Sequence, residues 1–123
     1  LKIIFCIGET LKERRQKKTN QILKKQIEKG LKSIKNKSKI IIAYEPVWSI
    51  GTGVIPKEAD LNKTISFIKS RFVKKYPKIL YGGSVNTNNV SILKKIASID
   101  GFLIGGASQN PKKFIDIIKK TIN

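Results

Sequence analysis

The chain contains no histidine and no methionine, one cysteine, and only 8 acidic residues against 26 basic ones. Each shortage excludes something. Without His and with a single thiol, no ordinary zinc site can be assembled and no intrachain disulfide can form. Cys6, inside Ile3-Ile4-Phe5-Cys6-Ile7, reads as a small buried hydrophobe instead of a redox thiol. Apolar runs never exceed strand length, so no membrane span is expected. No charged-then-apolar leader opens the sequence, which makes a soluble, cytoplasmic protein the expectation. Leu1 is not a translation start, and the sequence opens in mid-strand; it reads as the C-terminal part of something longer.

The scarcity of acids leaves a net charge of +18. Such a balance raises nucleic acid or an anionic membrane as partner. Twenty-three of the 26 basic residues are Lys, however, spread along the expected helices. Arg occurs only at Arg14, Arg15 and Arg71, and aromatics do not alternate with the basic residues. A dedicated nucleic-acid surface combines Arg with stacking aromatics. Neither nucleic acid nor membrane is therefore expected as a partner. The charge still favours small anionic substrates over long range, most at low salt.

Hydrophobic spacing gives strand then helix, four times. Strands are expected at Lys2–Ile7, Ile40–Tyr44, Ile79–Tyr81 and Phe102–Ile104. The run Ile40-Ile41-Ile42-Ala43 reads as buried on both faces. One amphipathic helix is expected from Leu11 to Ile34, with Ile22, Leu23, Ile27, Leu31 and Ile34 inward. A second opens at Pro56 and Glu58, buries Leu61, Ile65, Ile68 and Phe72, and stops at Pro77. A third, capped by Asn88 or Asn89, carries Val90, Leu93, Lys94 and Ile96. The last runs from Pro111 to Ile122 with Phe114, Ile115 and Ile118 inward. Alternating strands and helices of this kind mean an α/β fold with a parallel sheet. Length allows one domain at most, residues 1–123.

Chemistry concentrates where strands end. Glu45 stands at the tip of the second strand, followed by Pro46, which fixes the backbone, and by Gly51 and Gly53, which free it. An acid there, before a stiff-then-flexible loop, is how a general base comes to sit under a lid. Gly82-Gly83-Ser84 and Gly105-Gly106-Ala107-Ser108 follow the third and fourth strands. In a parallel sheet these ends share a face, so bare amides converge into a phosphate cradle. A short helical turn after the last pair would add its partial positive charge.

Cys6-Ile7-Gly8-Glu9-Thr10, the segment Tyr44 to Gly53, Tyr81-Gly82-Gly83-Ser84-Val85 and Asp100 to Ser108, in this order and spacing, resemble triosephosphate isomerase over essentially the whole chain. The resemblance implies the C-terminal half of a (β/α)8 TIM barrel: four β/α units with parallel strands, a single incomplete domain. It implies a cytosolic, glycolytic enzyme that interconverts dihydroxyacetone phosphate and glyceraldehyde 3-phosphate, a homodimer with no cofactor and no metal. Glu45 would be the base. Pro46, Val47, Trp48, Ile50, Gly51, Thr52 and Gly53 would belong to the lid, with the Gly51 amide closing on the phosphate of the triose phosphate. Ser84, Gly105 and Gly106 would supply the other phosphate donors. Trp48 and Glu9 would pair to hold the lid open, and Tyr81 and Ser84 would grip it when shut.

Two departures accompany the likeness. The family's Lys at the end of the first strand and His at the end of the fourth belong to units this chain does not contain. Losing one preorganised donor to a developing oxyanion costs about 100- to 1000-fold in rate, so the chain alone is expected to be inactive. Pro56 falls where the family's lid offers an N–H to the strand-end tyrosine, and proline has none; closure would then rest more on Ser84 and Gly53. Open edges at the first and last strands would invite association. The alternatives are another phosphate-binding barrel enzyme, and a non-catalytic half-barrel binding phosphate compounds or nucleic acid.

Overall fold

The computed structural model describes residues 1–73 and 75–123. Four strands, β1 (Ile3–Ile7), β2 (Ile40–Tyr44), β3 (Ile79–Tyr81) and β4 (Gly101–Phe102), form one sheet in chain order. Every pair is parallel, with Ile3 opposite Ile40, Ile42 opposite Ile79 and Leu80 opposite Gly101. Among the described residues five helices connect or follow them: α1 (Leu11–Arg15), α2 (Thr19–Gly30), α3 (Glu58–Ser70), α4 (Val90–Leu93) and α5 (Pro111–Ile122). Short 3-10 turns occupy Lys37–Lys39 and Gly106–Gln109. Among the described residues no helix is long and apolar enough to cross a membrane.

The second strand is buried on both faces as expected for Ile40–Ala43, with only Ile41 half-buried, whereas β1 is open on one face. Strand periodicity puts Phe5, Ile7, Ile42, Tyr44, Ile79 and Tyr81 on the helix side. There they form one core with Leu23 and Ile27 of α2, Leu61, Ile65 and Ile68 of α3, Val90 and Leu93 of α4, and Ile117 of α5. Each fully buried Leu or Ile stabilises by about 1.5–3 kcal/mol relative to exposure. On the opposite face Ile41 and Leu80 are half-buried and Ile4 is 47% exposed, because no described helix crosses that side. Cys6 lies on this open face and is exposed, not buried.

The expected helix Leu11–Ile34 is two helices. Thr10 caps α1 in a reciprocal box with Glu13, which fixes its start. The crowd of Lys12, Arg14, Arg15, Lys17 and Lys18 disfavours continuation, and Lys17 turns into the left-handed region at φ 57°. The second α2 boundary is also earlier than expected: Leu31 and Ile34 still reach the core from the turn after Gly30.

Helix α3 ends at Ser70, with Arg71 as its cap and Phe72 packed on the core from the turn that follows. Pro77 therefore does not stop it, and the expected span crosses Lys74, which lies outside the described residues. Helix α4 is one turn. Asn89 is its N-cap, as expected, but its side chain caps no amide of the helix; Asn86 Oδ1 takes the amides of Asn88 and Asn89 at 2.8 and 3.1 Å. Strand β4 is shorter than expected, because β3 offers partners only to Tyr81. In α5 the inward residue is Ile117, while Phe114 is half-buried and Ile115 and Ile118 are exposed. Contact with α4 and the preceding turn selects that side of the helix.

Candidate active site

The ladder continues past the strand ends and brings their tips level. The Glu45 amide donates to the Ile7 carbonyl at 2.8 Å, Gly82 to Tyr44 at 2.9 Å, and Leu103 to Tyr81 at 3.0 Å. Gln26 of α2 pairs with the Gly8 backbone in both directions, at 2.9 and 3.0 Å, and holds the end of β1. Glu45, half-buried, thus stands at the mouth of a cavity of about 580 Å³. The same cavity is lined by Ile50 and Gly51, by Gly82, Gly83 and Ser84, and by Gly105 and Gly106. The acid and all three glycine loops meet in one place.

Gly82 lies so close to the carboxyl that a Cβ there would sit 2.5 Å from Glu45 Cγ and 3.2 Å from Oε2. Cys6 is also beside this carboxylate. Partial burial and then the Glu45 negative charge push its thiol up to about 11. Gly51 and Gly53 adopt φ of 70° and 78°, a region that favours glycine. Among the described residues the amides of Gly51, Gly105 and Gly106 meet no protein acceptor. The 3-10 turn Gly106–Gln109 follows the last pair, as the spacing suggests. An anion seated in this cavity would meet bare N–H groups from two sides.

Lys113, in the first turn of α5, also lines the cavity. Sequence reading passed over it because it lies outside the glycine loops. Its position on the first turn, where the helix dipole disfavours a cation, was the available signal.

Beneath the Pro46–Gly53 loop, Glu9 is fully buried and its carboxylate collects donors from three directions. Tyr44 O–H approaches its two oxygens at 3.0 and 3.1 Å, Trp48 Nε1 donates at 3.1 Å, and Arg14 stands at 3.5 Å. The Arg14 guanidinium also lies 4.7 Å from the Trp48 ring centroid and reaches Asp60 of α3 at 3.2 Å. Burial, followed by the Glu9 charge, raises the Tyr44 phenol well above its ordinary value. Tyr44 and Arg14 hold the Glu9 carboxylate and were not singled out from sequence. Tyr44 is legible in hindsight, since it alternates with Glu45 and so faces the helices.

The loop from Pro46 to Val54 is stitched internally. Thr52 Oγ1 donates to the Ser49 carbonyl at 3.0 Å and accepts the Val54 amide at 3.2 Å. Pro46 is buried at its root, while Val47 and Ile50 are exposed. The Gly53 amide donates to Ser84 Oγ at 2.9 Å. This clasp coexists with the Trp48–Glu9 bond, so the two are not the open and shut alternatives expected. Tyr81 pairs its hydroxyl with Ser49 Oγ at 3.0 Å. The buried Ser49 thus takes the place that Pro56, lacking an N–H, cannot fill. Ser84 also differs from expectation: its amide already donates to Ser49 Oγ at 3.2 Å.

Residues 1–121 match the family model described as triosephosphate isomerase. The triosephosphate isomerase of Thermodesulfovibrio yellowstonii is 45% identical over 125 residues, covering 97% of this chain and 51% of that protein. That of Mycoplasma mobile is 47% identical over 116 residues, covering 94% and 48%. That of Saccharomyces cerevisiae is 43% identical over 123 residues, covering 94% and 49%. The chain spans about half the length of these curated relatives. Parallel strands, flanking helices and a match along nearly every residue agree: this chain belongs to the triosephosphate isomerase family, with the architecture of a partial TIM barrel.

Proposed function

We propose that this chain carries the base and the phosphate cradle of a triose-phosphate isomerase, and that catalysis requires the remainder of a barrel. The observation that supports this best is the convergence of Glu45 with Gly51, Ser84, Gly105 and Gly106 around one cavity. In this reading dihydroxyacetone phosphate seats its phosphate on the bare amides. The Glu45 carboxylate removes a proton from the hydroxymethyl carbon, leaving an enediolate. A proton passes from the first enediolate oxygen to the second, and the same carboxyl returns its proton to the neighbouring carbon, giving glyceraldehyde 3-phosphate with no net redox change. Proton transfer of this kind asks for no cofactor. A carboxylate abstracts a carbon-bound proton best when water is removed around it, which closure of Pro46–Gly53 accomplishes. Binding energy from the phosphate, remote from the reacting carbons, drives that closure.

The groups that would offset the substrate's charge and polarise its carbonyl are supplied by units absent from this sequence. The 123-residue chain alone is accordingly without measurable turnover, and pairing into a homodimer is a property of the whole enzyme. The test has two arms. Titrating the ¹⁵N-labelled chain with 2-phosphoglycolate, a two-carbon phosphate acid, should shift the Gly51, Gly105 and Gly106 amides. Co-expressing it with the N-terminal half of the Thermodesulfovibrio protein should yield isomerisation that Glu45→Gln abolishes. Shifts confined to the lysine-rich helix faces, or turnover indifferent to Glu45, would overturn the reading.

A further inference from the structure

Ser49 is an unusual place for a lone hydroxyl. It sits in the lid among Trp48, Ile50 and Val47, yet it is fully buried. Every bonding position of its oxygen is filled. Ser49 Oγ lies 2.5 Å from the Val54 carbonyl, which can only accept, so the serine's single proton is spent there. Its two lone pairs then receive Tyr81 O–H at 3.0 Å and the Ser84 N–H at 3.2 Å. The direction of the Tyr81 bond follows by elimination: tyrosine donates. Burial, which raises the Tyr81 phenol above its ordinary value, keeps that proton in place.

The consequence concerns Ser84. Its amide is held by Ser49, at the front of the lid, and its Oγ by the Gly53 amide, at the back. Ser84 also lines the cavity with Glu45. Gly83 makes the arrangement sterically possible, since a Cβ there would collide with the Tyr81 hydroxyl and come within 2.6 Å of Ser49 Oγ.

We propose that Ser49 is a positioning residue that couples the lid to the phosphate cradle, its one hydroxyl joining Val54, Tyr81 and Ser84. The proposal rests on the functional reading above for its ligand, but the latch stands on its own bonds. An anion drawing on residue 84 meets a group whose place the lid has set, and release of the lid loosens that group. The hydroxyl acts through Ser84 and does not touch the reacting carbons.

The experiment uses the 123-residue chain, in which Trp48 is the only tryptophan and reports on the lid directly. Ser49→Ala, Tyr81→Phe and the double variant are compared with Ser98→Ala. That control removes a hydroxyl bonded at 2.6 Å to Asn62, on elements remote from the cavity. Amide exchange at Ser84 and Gly53 is followed without ligand, and Trp48 emission is followed during titration with inorganic phosphate. Ser49→Ala should speed exchange at both amides by about tenfold, as loss of one buried hydrogen bond would do, and should blunt the phosphate-driven change in emission. Tyr81→Phe, which keeps the serine, should produce a smaller loss, and the double variant should be no worse than Ser49→Ala. Ser98→Ala should lower the unfolding midpoint without either signature.

Unchanged exchange at Ser84 and Gly53 in Ser49→Ala, or additive effects in the double variant, would overturn the latch. A wild-type chain with protected amides but no response to phosphate would instead sink the functional reading and leave the latch intact.

Discussion

Replacing Gly82 by alanine should damage the site while sparing the fold. The backbone there is not in the left-handed region, so alanine is compatible with its conformation. The obstacle is the side chain of Glu45, whose Cγ would lie 2.5 Å from the new methyl and whose Cδ would lie 3.0 Å away. Carbon atoms settle at about 3.5–4.0 Å, so the carboxyl has to withdraw by roughly 1 Å. A flexible side chain can do that at little cost to folding. As the proposed base, Glu45 cannot do it without leaving its working position, and a misplacement of about 1 Å costs roughly 100-fold in rate, or ~2.7 kcal/mol of barrier.

The assay is kcat/KM of the co-expressed halves, with urea unfolding of the 123-residue chain in parallel. Gly8→Ala provides the contrast, because its methyl would strike the Glu45 backbone carbonyl, which cannot swing away; that variant should lose folding first. Gly82→Ala turning over within about threefold of wild type, while Glu45→Gln remains dead, would refute the geometric argument.

Glu9→Ala should lower unfolding free energy by about 3 kcal/mol in urea titrations, since it strips a buried acceptor from Tyr44, Trp48 and Arg14; a loss below about 1 kcal/mol would mean that the network is slack. Lys113→Ala should weaken inorganic phosphate binding about fivefold at low salt, with the difference shrinking as salt rises, as calorimetry would show. Cys6 should alkylate at pH 8 about tenfold more slowly than a free thiol despite its exposure, the scarcer thiolate being partly offset by its greater nucleophilicity, because its pKa is about 11 against an ordinary 9.0. Tyr44 and Tyr81 both have raised folded pKa values, so the stability they contribute is complete below their unfolded value of 10.0 and declines as pH rises above it. Ultraviolet titration should accordingly show these two ionising only as circular dichroism reports unfolding.

What could be read from the sequence was what is local. Four strands, their glycine-marked ends and Glu45 beside Pro46 are encoded within a few residues each, and the observed strands overlap all four expected ones. What could not be read depends on partners distant in the chain. The break between α1 and α2 turns on Lys17 and on Arg14 reaching Asp60, forty-odd positions away. The apolar run Ile40–Ala43 signals burial of β2 itself but not of its neighbour, and the equally apolar β1 leaves Ile4 and Cys6 open on one side. Ser49 was invisible for a similar reason. One serine in a loop is unremarkable until Tyr81, Ser84 and Val54 are seen around it.

The sheet runs β1-β2-β3-β4 without a skipped neighbour, and this has a bearing on how the chain finds its fold. Ile3 meets Ile40 and Ile42 meets Ile79, so the first two ladders close equal spans, while Leu80 meets Gly101 across a shorter one, each span containing a covering helix. Among the described residues no strand pairing skips a neighbour in the chain. Assembly can advance unit by unit, each docked strand templating the next, with the entropic toll divided into similar instalments. Such a polypeptide should reach its shape by stepwise growth more in the manner of a tandem-repeat array than of a sheet whose outer strands come together first.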